Sequence, residues 1–288
     1  MAESVGMGCS LLERFPSAGA LLERTEAAWG APLRRVLLEG PEERLREGDH
    51  CQPLLTWYAC AVDQALRDRG LRPSAVAGYS LGVFASLVVA GAVSLEGALA
   101  VLKFNREVIG REGHWGAMLA VGGLELAAGE EYAADNRAVA VGVVNGPRSW
   151  TLTGTPEGIV RAEMDLRPRA LQLFRLPSGW AIHSPLLAFA ARAAREEGSL
   201  WADLRQPEIP FLSPFTGERV ETADGAGEVL SQIICRPMRW DRVAAALPSW
   251  GGALVEASES GFLGKILKAS PARPSVRPAV RLLDDGAA

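Results

Sequence analysis

Residues 75–86 read AVAGYSLGVFAS. The short apolar run SAVAG (74–78) leads into a glycine-flanked serine, and the nearly all-apolar stretch LGVFASLVVAG (81–91) leads away from it. Two apolar elements joined by so few residues must both be buried and must pack on each other. That is the habit of a buried parallel strand followed by a helix. The flanks agree. The stretch HCQPLLTWYACAVDQALRDRG (50–70) repeats Leu54, Leu55, Tyr58, Ala59, Val62 and Leu66 at helical spacing, with Pro53 suited to a first turn and Gly70 to a C-terminal cap. Ser94 opens a further helix through LEGALAVLKFNREVI (95–109).

The order helix, strand, G-x-S-x-G, helix is what a nucleophile elbow requires. The glycines permit the tight turn, Ser80 is raised above the strand end, and the Leu81 N–H points where an oxyanion would form. The plainer reading of Ser80 is a helix-capping serine. A nucleophilic serine needs a base, and the chain has three histidines: His50, His114 and His183. His50 sits beside Asp49 in a polar stretch, His114 beside a turn, and His183 after an apolar-alternating run. Residue pattern alone leaves His114 and His183 level.

Composition narrows the classes. Hydrophobic residues make up 48% of 288, enough for a sizeable core, and the net charge of −4 with mixed signs excludes a basic nucleic-acid surface. No 18-residue apolar run and no leader-like start are visible, so no membrane span and a cytoplasmic location are expected. Cys9, Cys51, Cys60 and Cys235 show no metal-ligand or disulfide spacing, so no metal is expected.

Several stretches together resemble the malonyl-CoA:acyl carrier protein transacylase family, including polyketide synthase acyltransferase domains. GYSLG (78–82) is similar to its GHSLG elbow, and GHWGAMLAVGG (113–123) to the entry into its small subdomain. VVNGPRSWTLTG (143–154), WAIHSPLL (180–187), RPMRW (236–240) and LVEASESGFLGKILK (254–268) follow in the family's order. The resemblance implies an α/β-hydrolase-like large subdomain, with a parallel sheet, from 1–117 and 179–288. It implies a ferredoxin-like small subdomain at 118–178. The pattern there is compatible: AMLAVGG, AVAVGVV, SWTLTG and ALQLFRL read as strands, LELAAGEEYAADN and TPEGIVRAEMDL as helices, in β-α-β-β-α-β order. A short edge strand is expected at AVRLL (279–283), before a loose end.

The implied chemistry is transfer of malonyl or a related short acyl group from coenzyme A to the phosphopantetheine thiol of an acyl carrier protein through acyl-Ser80, with His183 as base. Acyl-CoA is then a substrate, and no bound cofactor is implied. The family orients its histidine through a backbone carbonyl, here that of Gln232 or Ile233. Three departures bear on substrate. The family's opening strand and oxyanion-hole glutamine would precede Met1, leaving Glu3 near that rim. Asn105, followed by Arg106, stands where the family has an arginine for the malonyl carboxylate, which implies uncharged acyl groups or hydrolysis. Finally, Trp180 and Ile182 of WAIH, with Tyr79, match no malonate signature and imply an apolar pocket. The alternatives are an acyl-thioester hydrolase on the same fold and a non-catalytic relative that binds carrier protein.

Overall fold

The computed structural model describes residues 4–113, 115–268 and 274–284. His114, Glu3 and the tail from 285 lie outside the described residues. Ten strands are present among the described residues: β1 (Val76–Ala77), β2 (Ala117–Gly122), β3 (Val139–Gly146), β4 (Ser149–Gly154), β5 (Gln172–Leu176), β6 (Phe211–Leu212), β7 (Arg219–Val220), β8 (Met238–Arg239), β9 (Leu254–Glu256) and β10 (Val276–Pro278).

The largest core cluster is built around the helix Gly48–Asp68. Leu54, Trp57, Ala61 and Ala65 are fully buried along it, one face recurring at helical spacing. Trp57 brings a ring and a polar N–H inside, and the N–H donates to the Ala18 carbonyl at 3.0 Å. The helix starts earlier than its periodicity suggested and takes in both Asp49 and His50, with Pro53 inside it. Gly70, at φ 78, follows its end.

β1 enters the expected turn, and the helix Gly82–Val89 leaves it. A Cβ on Gly78 would stand 2.4 Å from the Val83 backbone N and Cα, so only glycine lets strand and helix approach this closely. A Cβ on Gly82 would meet nothing within 4 Å. The two glycines of the motif are therefore not equivalent. Ser94 caps the helix Leu95–Glu112 by accepting from the Gly97 N–H at 2.9 Å.

Parallel pairing is present, but in separate pieces. β1 pairs with β6 in parallel, and β7 adds to β6 antiparallel; β9 pairs with β10 in parallel. The single parallel sheet expected from the sequence is thus divided. Between β1 and β9 lies an apolar cavity of about 880 Å³, walled by Val76, Ala77, Leu254 and Val255 and lined from the helix Gly48–Asp68 by Tyr58 and Val62. Each of the two strands pairs on one side among the described residues.

The remaining strands form a five-stranded sheet in the order β5-β2-β4-β3-β8. β2 to β5 are antiparallel neighbours, and the helices Leu126–Asp135 and Pro156–Leu166 fall between them in β-α-β-β-α-β order. Alternation along the strands sends Leu119, Val121, Trp150 and Leu152 to one face, where they pack with Ile159 and Leu166. Met118 and Val143 belong to the cluster of Leu212, Met238 and Trp240. β8 joins β3 in parallel, so a strand from late in the chain completes this sheet. The expected edge strand at 279–283 is instead the helix Ala279–Asp284. Ala279 and Leu283 are buried four residues apart, a helical interval, and Arg14 holds the end through the Leu283 carbonyl and Asp284.

Gly78→Ala is expected to cost about 1–3 kcal/mol through overpacking at the turn, whereas Gly82→Ala should stay within about 0.5 kcal/mol of the parent. Urea unfolding of the two variants checks this; equal midpoints would contradict the assignment of the close approach to Gly78.

Candidate active site

Among the described residues, only two non-glycine residues have positive φ: Ser80 at 50° and His183 at 64°. Side chains rarely adopt this left-handed region, and each instance costs on the order of 1–3 kcal/mol. These two residues meet. Ser80 Oγ lies 2.9 Å from His183 Nε2, across 103 positions of sequence.

Ser80 is positioned from three directions. The turn out of β1 fixes its backbone, its N–H donates to Met238 Sδ at 3.2 Å, and the preceding Tyr79 is pinned. The Tyr79 hydroxyl donates to Asn145 Oδ1 at 3.1 Å. Its ring meets Trp240 and Phe262 edge-on at 5.3 and 5.4 Å. Burial pushes the phenol up to about 12. Asn145 lies on β3, so this contact ties the elbow to the five-stranded sheet. The Leu81 N–H stands at the leading edge of the helix Gly82–Val89, among the donors that a first turn leaves without intrahelical partners.

His183 is buried, and its N–H donates to the Ile234 carbonyl at 2.7 Å. Burial depresses its pKa to about 4, and the backbone carbonyls of Ile233 and Arg236 oppose that shift. No acceptor meets hydrogen-bond geometry at Nδ1 among the described residues. The Gln232 carbonyl, also expected to face the ring, instead accepts from the Cys235 and Arg236 N–H groups. The carbonyls acting on the imidazole are those of Ile233, one residue further on, and Arg236. Gly142 on β3 is kept bare by Thr153, whose Cγ2 would stand 2.6 Å from a Cβ there, while the His183 Cβ would lie at ordinary contact distance, 3.4 Å.

Asn105 and Arg106 are neighbours on the helix Leu95–Glu112, and their side chains take different paths. Asn105 is buried with Oδ1 unpartnered. Arg106 donates from Nε and Nη2 to Asp49 Oδ1 at 3.0 and 2.6 Å, and its guanidinium lies 5.1 Å from the Trp180 ring centre. Its charge is thereby matched by a carboxylate. Trp180 and Ile182 are half-buried against Ile109, Leu187 and Ile234. Gln52, with a buried and unpartnered Oε1, lies on the same helix as Asp49. His50 stands 3.6 Å from Glu47 through Nδ1.

Sequence reasoning passed over Met238, Asn145, Asp49 and Gly142. Asn145 and Met238 lie inside stretches that carried the family resemblance, so their position was marked though their contacts were not. Nothing local marks Asp49 or Gly142, whose relevance depends on long-range packing.

The acyl transferase domain family matches residues 3–258. The malonyl CoA-acyl carrier protein transacylase of Bacillus subtilis is 25% identical over 247 residues, covering 83% of this chain and 78% of that protein. A Streptomyces halstedii polyketide synthase is 30% identical over 279 residues, 91% of this chain but 5% of the synthase. A malonyl-transacylase solved in complex with a type II polyketide synthase acyl-carrier protein superposes with a TM-score of 0.90 at 21% identity, covering 99% of this chain and 96% of that one. With a match over most of its length, a shared fold and a serine–histidine pair built at its elbow, the chain belongs to the acyl transferase domain family.

Proposed function

We propose that this protein transfers a short acyl group from coenzyme A to the phosphopantetheine thiol of an acyl carrier protein through an acyl-Ser80 intermediate. The observation that carries the reading is the 2.9 Å contact between Ser80 Oγ and His183 Nε2, made by two residues at positive φ. Strain kept at a point of contact between two reactive groups fits a reactive site better than a capping role. The carrier-protein partner is supported by the relatives, which include a malonyl-transacylase solved with its acyl-carrier protein. The strand order β5-β2-β4-β3 supports the ferredoxin-like reading of 118–178, and the β1–β6 parallel pair supports the hydrolase-like reading of the rest.

His183 Nε2 accepts the Ser80 proton as Oγ bonds to the thioester carbonyl carbon. The Leu81 N–H stabilises the resulting oxyanion. Collapse breaks the C–S bond, and the proton passes from Nε2 to the leaving coenzyme A sulfur. The carrier thiol then gives its proton to Nε2, its sulfur bonds the acyl carbon, and the Ser80 C–O bond breaks. Ser80 Oγ recovers a proton from Nε2.

The acyl group is read as uncharged. Asn105 supplies hydrogen bonds without charge, and the adjacent guanidinium of Arg106 is paired with Asp49. A buried carboxylate without a free cation would meet a desolvation cost.

Intact-protein mass after mixing with acetyl-CoA or malonyl-CoA tests the reading. An acetyl adduct should form, should exceed any malonyl adduct, and should vanish in Ser80→Ala. Carrier protein should then discharge it; discharge to water alone would mean a hydrolase. A dominant malonyl adduct would overturn the uncharged reading, and no adduct from either donor would overturn acyl-serine chemistry with these donors. His183→Ala should slow adduct formation by about 10²–10⁴.

The low pKa of His183 sets two pH dependences. The folded imidazole stays neutral down to about 4, so the acylation rate should hold from neutral to mildly acidic pH and fall as pH drops through about 4. The unfolded chain binds that proton first, near its ordinary 6.5, so stability should decline as pH falls from 6.5 towards 4. Acylation rates and urea midpoints across that range check both. A rate that halves near pH 6.5 would contradict the buried, neutral base.

A further inference from the structure

Arg106 joins three elements through charged and cation–π contacts that add to their apolar packing. Its guanidinium is paired with Asp49 on the helix Gly48–Asp68, it projects from the helix Leu95–Glu112, and it lies over the Trp180 ring. Space for it is reserved: a Cβ on Gly48 would come within 2.0 Å of Arg106 Nη1. Its side chain is 17% exposed, against 70% for Asp49, so the cation is largely desolvated while its partner reaches water. Cation–π attraction strengthens when the cation is desolvated, and a guanidinium can stack on the indole while its N–H groups serve a carboxylate.

Trp180 is three residues ahead of His183, in a loop whose other restraints are backbone and small-residue contacts. Ser178 Oγ donates to the Trp180 carbonyl at 2.8 Å, the Gly116 N–H donates to the Gly179 carbonyl at 2.8 Å, and the His183 N–H reaches Ile234. Ala181 lies so close to Gly116 that a Cβ there would meet its N at 2.1 Å. This short loop ends on a residue at φ 64°, a conformation that persists only where the surroundings over-determine it. Apart from the apolar cluster around Trp180 and Ile182, the Arg106–indole contact is the charged restraint on its outer side.

We propose that Arg106 is a positioning residue for His183: clamped between Asp49 and the Trp180 indole, it fixes the 178–183 loop that carries the base. The inference rests on His183 being the base for Ser80. It gives Arg106 a role distinct from binding an acyl carboxylate, because the guanidinium's partners are a residue of this chain and the ring in front of the base. Losing the clamp lets the loop relax towards unstrained backbone and moves Nε2 off Ser80 Oγ.

The test uses a fluorophosphonate probe, which phosphonylates a base-activated serine regardless of acyl preference, followed by intact mass. The limiting rate and the half-saturating probe concentration are measured for the parent, Ser80→Ala, Arg106→Ala, Arg106→Lys, Asp49→Ala and Trp180→Leu. Arg106→Ala should lower the limiting rate about 10- to 100-fold, as expected for a misplaced base, with half-saturation changed less than about twofold. Arg106→Lys keeps a cation between Asp49 and the indole but not the planar fork, and should recover only part of the rate. Trp180→Leu should match Arg106→Ala, and the double variant should lose no more than either single one, as coupled partners do. An unchanged limiting rate in Arg106→Ala overturns the proposal. So does a loss confined to half-saturation, which would make Arg106 a ligand contact. Should Arg106→Ala fail to fold, Asp49→Ala and Trp180→Leu carry the same comparison. If the parent itself is not labelled at Ser80, the reading of a His183-activated serine fails and this inference with it.

Discussion

The contact between Ser80 and His183 is the constraint around which much of the surrounding architecture is arranged. Each residue occupies a backbone region that a side chain ordinarily avoids. The two are maintained differently. Ser80 is held locally, because Gly78 lets β1 and the following helix close to a separation that no side chain would permit. His183 is held from a distance, because the Ile234 carbonyl accepts its backbone N–H and the carbonyls of Ile233 and Arg236 face its ring. Two strained residues from distant parts of the chain meeting at hydrogen-bond distance is a juxtaposition that the rest of the fold sustains.

Much of this was legible in the chain before any coordinates. Periodicity marked the helices at 48–68, 82–89 and 95–112, and alternation marked β2 to β5, because those elements bury one face or run wholly inside. Ser80 was legible because a nucleophile elbow is local: its glycines, strand and helix are neighbours in sequence. His183 was one of two equal candidates until the family resemblance separated them, since a base is chosen by three-dimensional placement. The segment 279–283 was misread because Val280, Leu282 and Leu283 suit a strand; tertiary anchoring by Arg14 and Arg69 at the end of the chain favours the helix. Asp49 was read only as part of a polar stretch, and nothing near it reveals that Arg106 would reach it.

The electrostatics of the site are economical. Burial alone keeps the imidazole neutral near pH 7, so the base needs no neighbouring carboxylate to be ready for a proton. The Arg106 cation is compensated by Asp49, and the neighbouring Asn105 is neutral. As the base takes the proton, an imidazolium and an oxyanion develop together; the carbonyls of Ile233 and Arg236 favour the first, and preorganised N–H donors act on the second.

The cavity beside β1 has a mechanical meaning. A strand within a sheet is stiff in the sheet plane because ladder bonds tie it on both edges; β1 is tied to β6 on one edge and borders about 880 Å³ of apolar space on the other. Among the described residues no strand ladders onto the β9-facing side of β1. On that flank the strand that delivers Ser80 is braced by side-chain packing in place of backbone hydrogen bonds, so its two edges are supported by different kinds of contact.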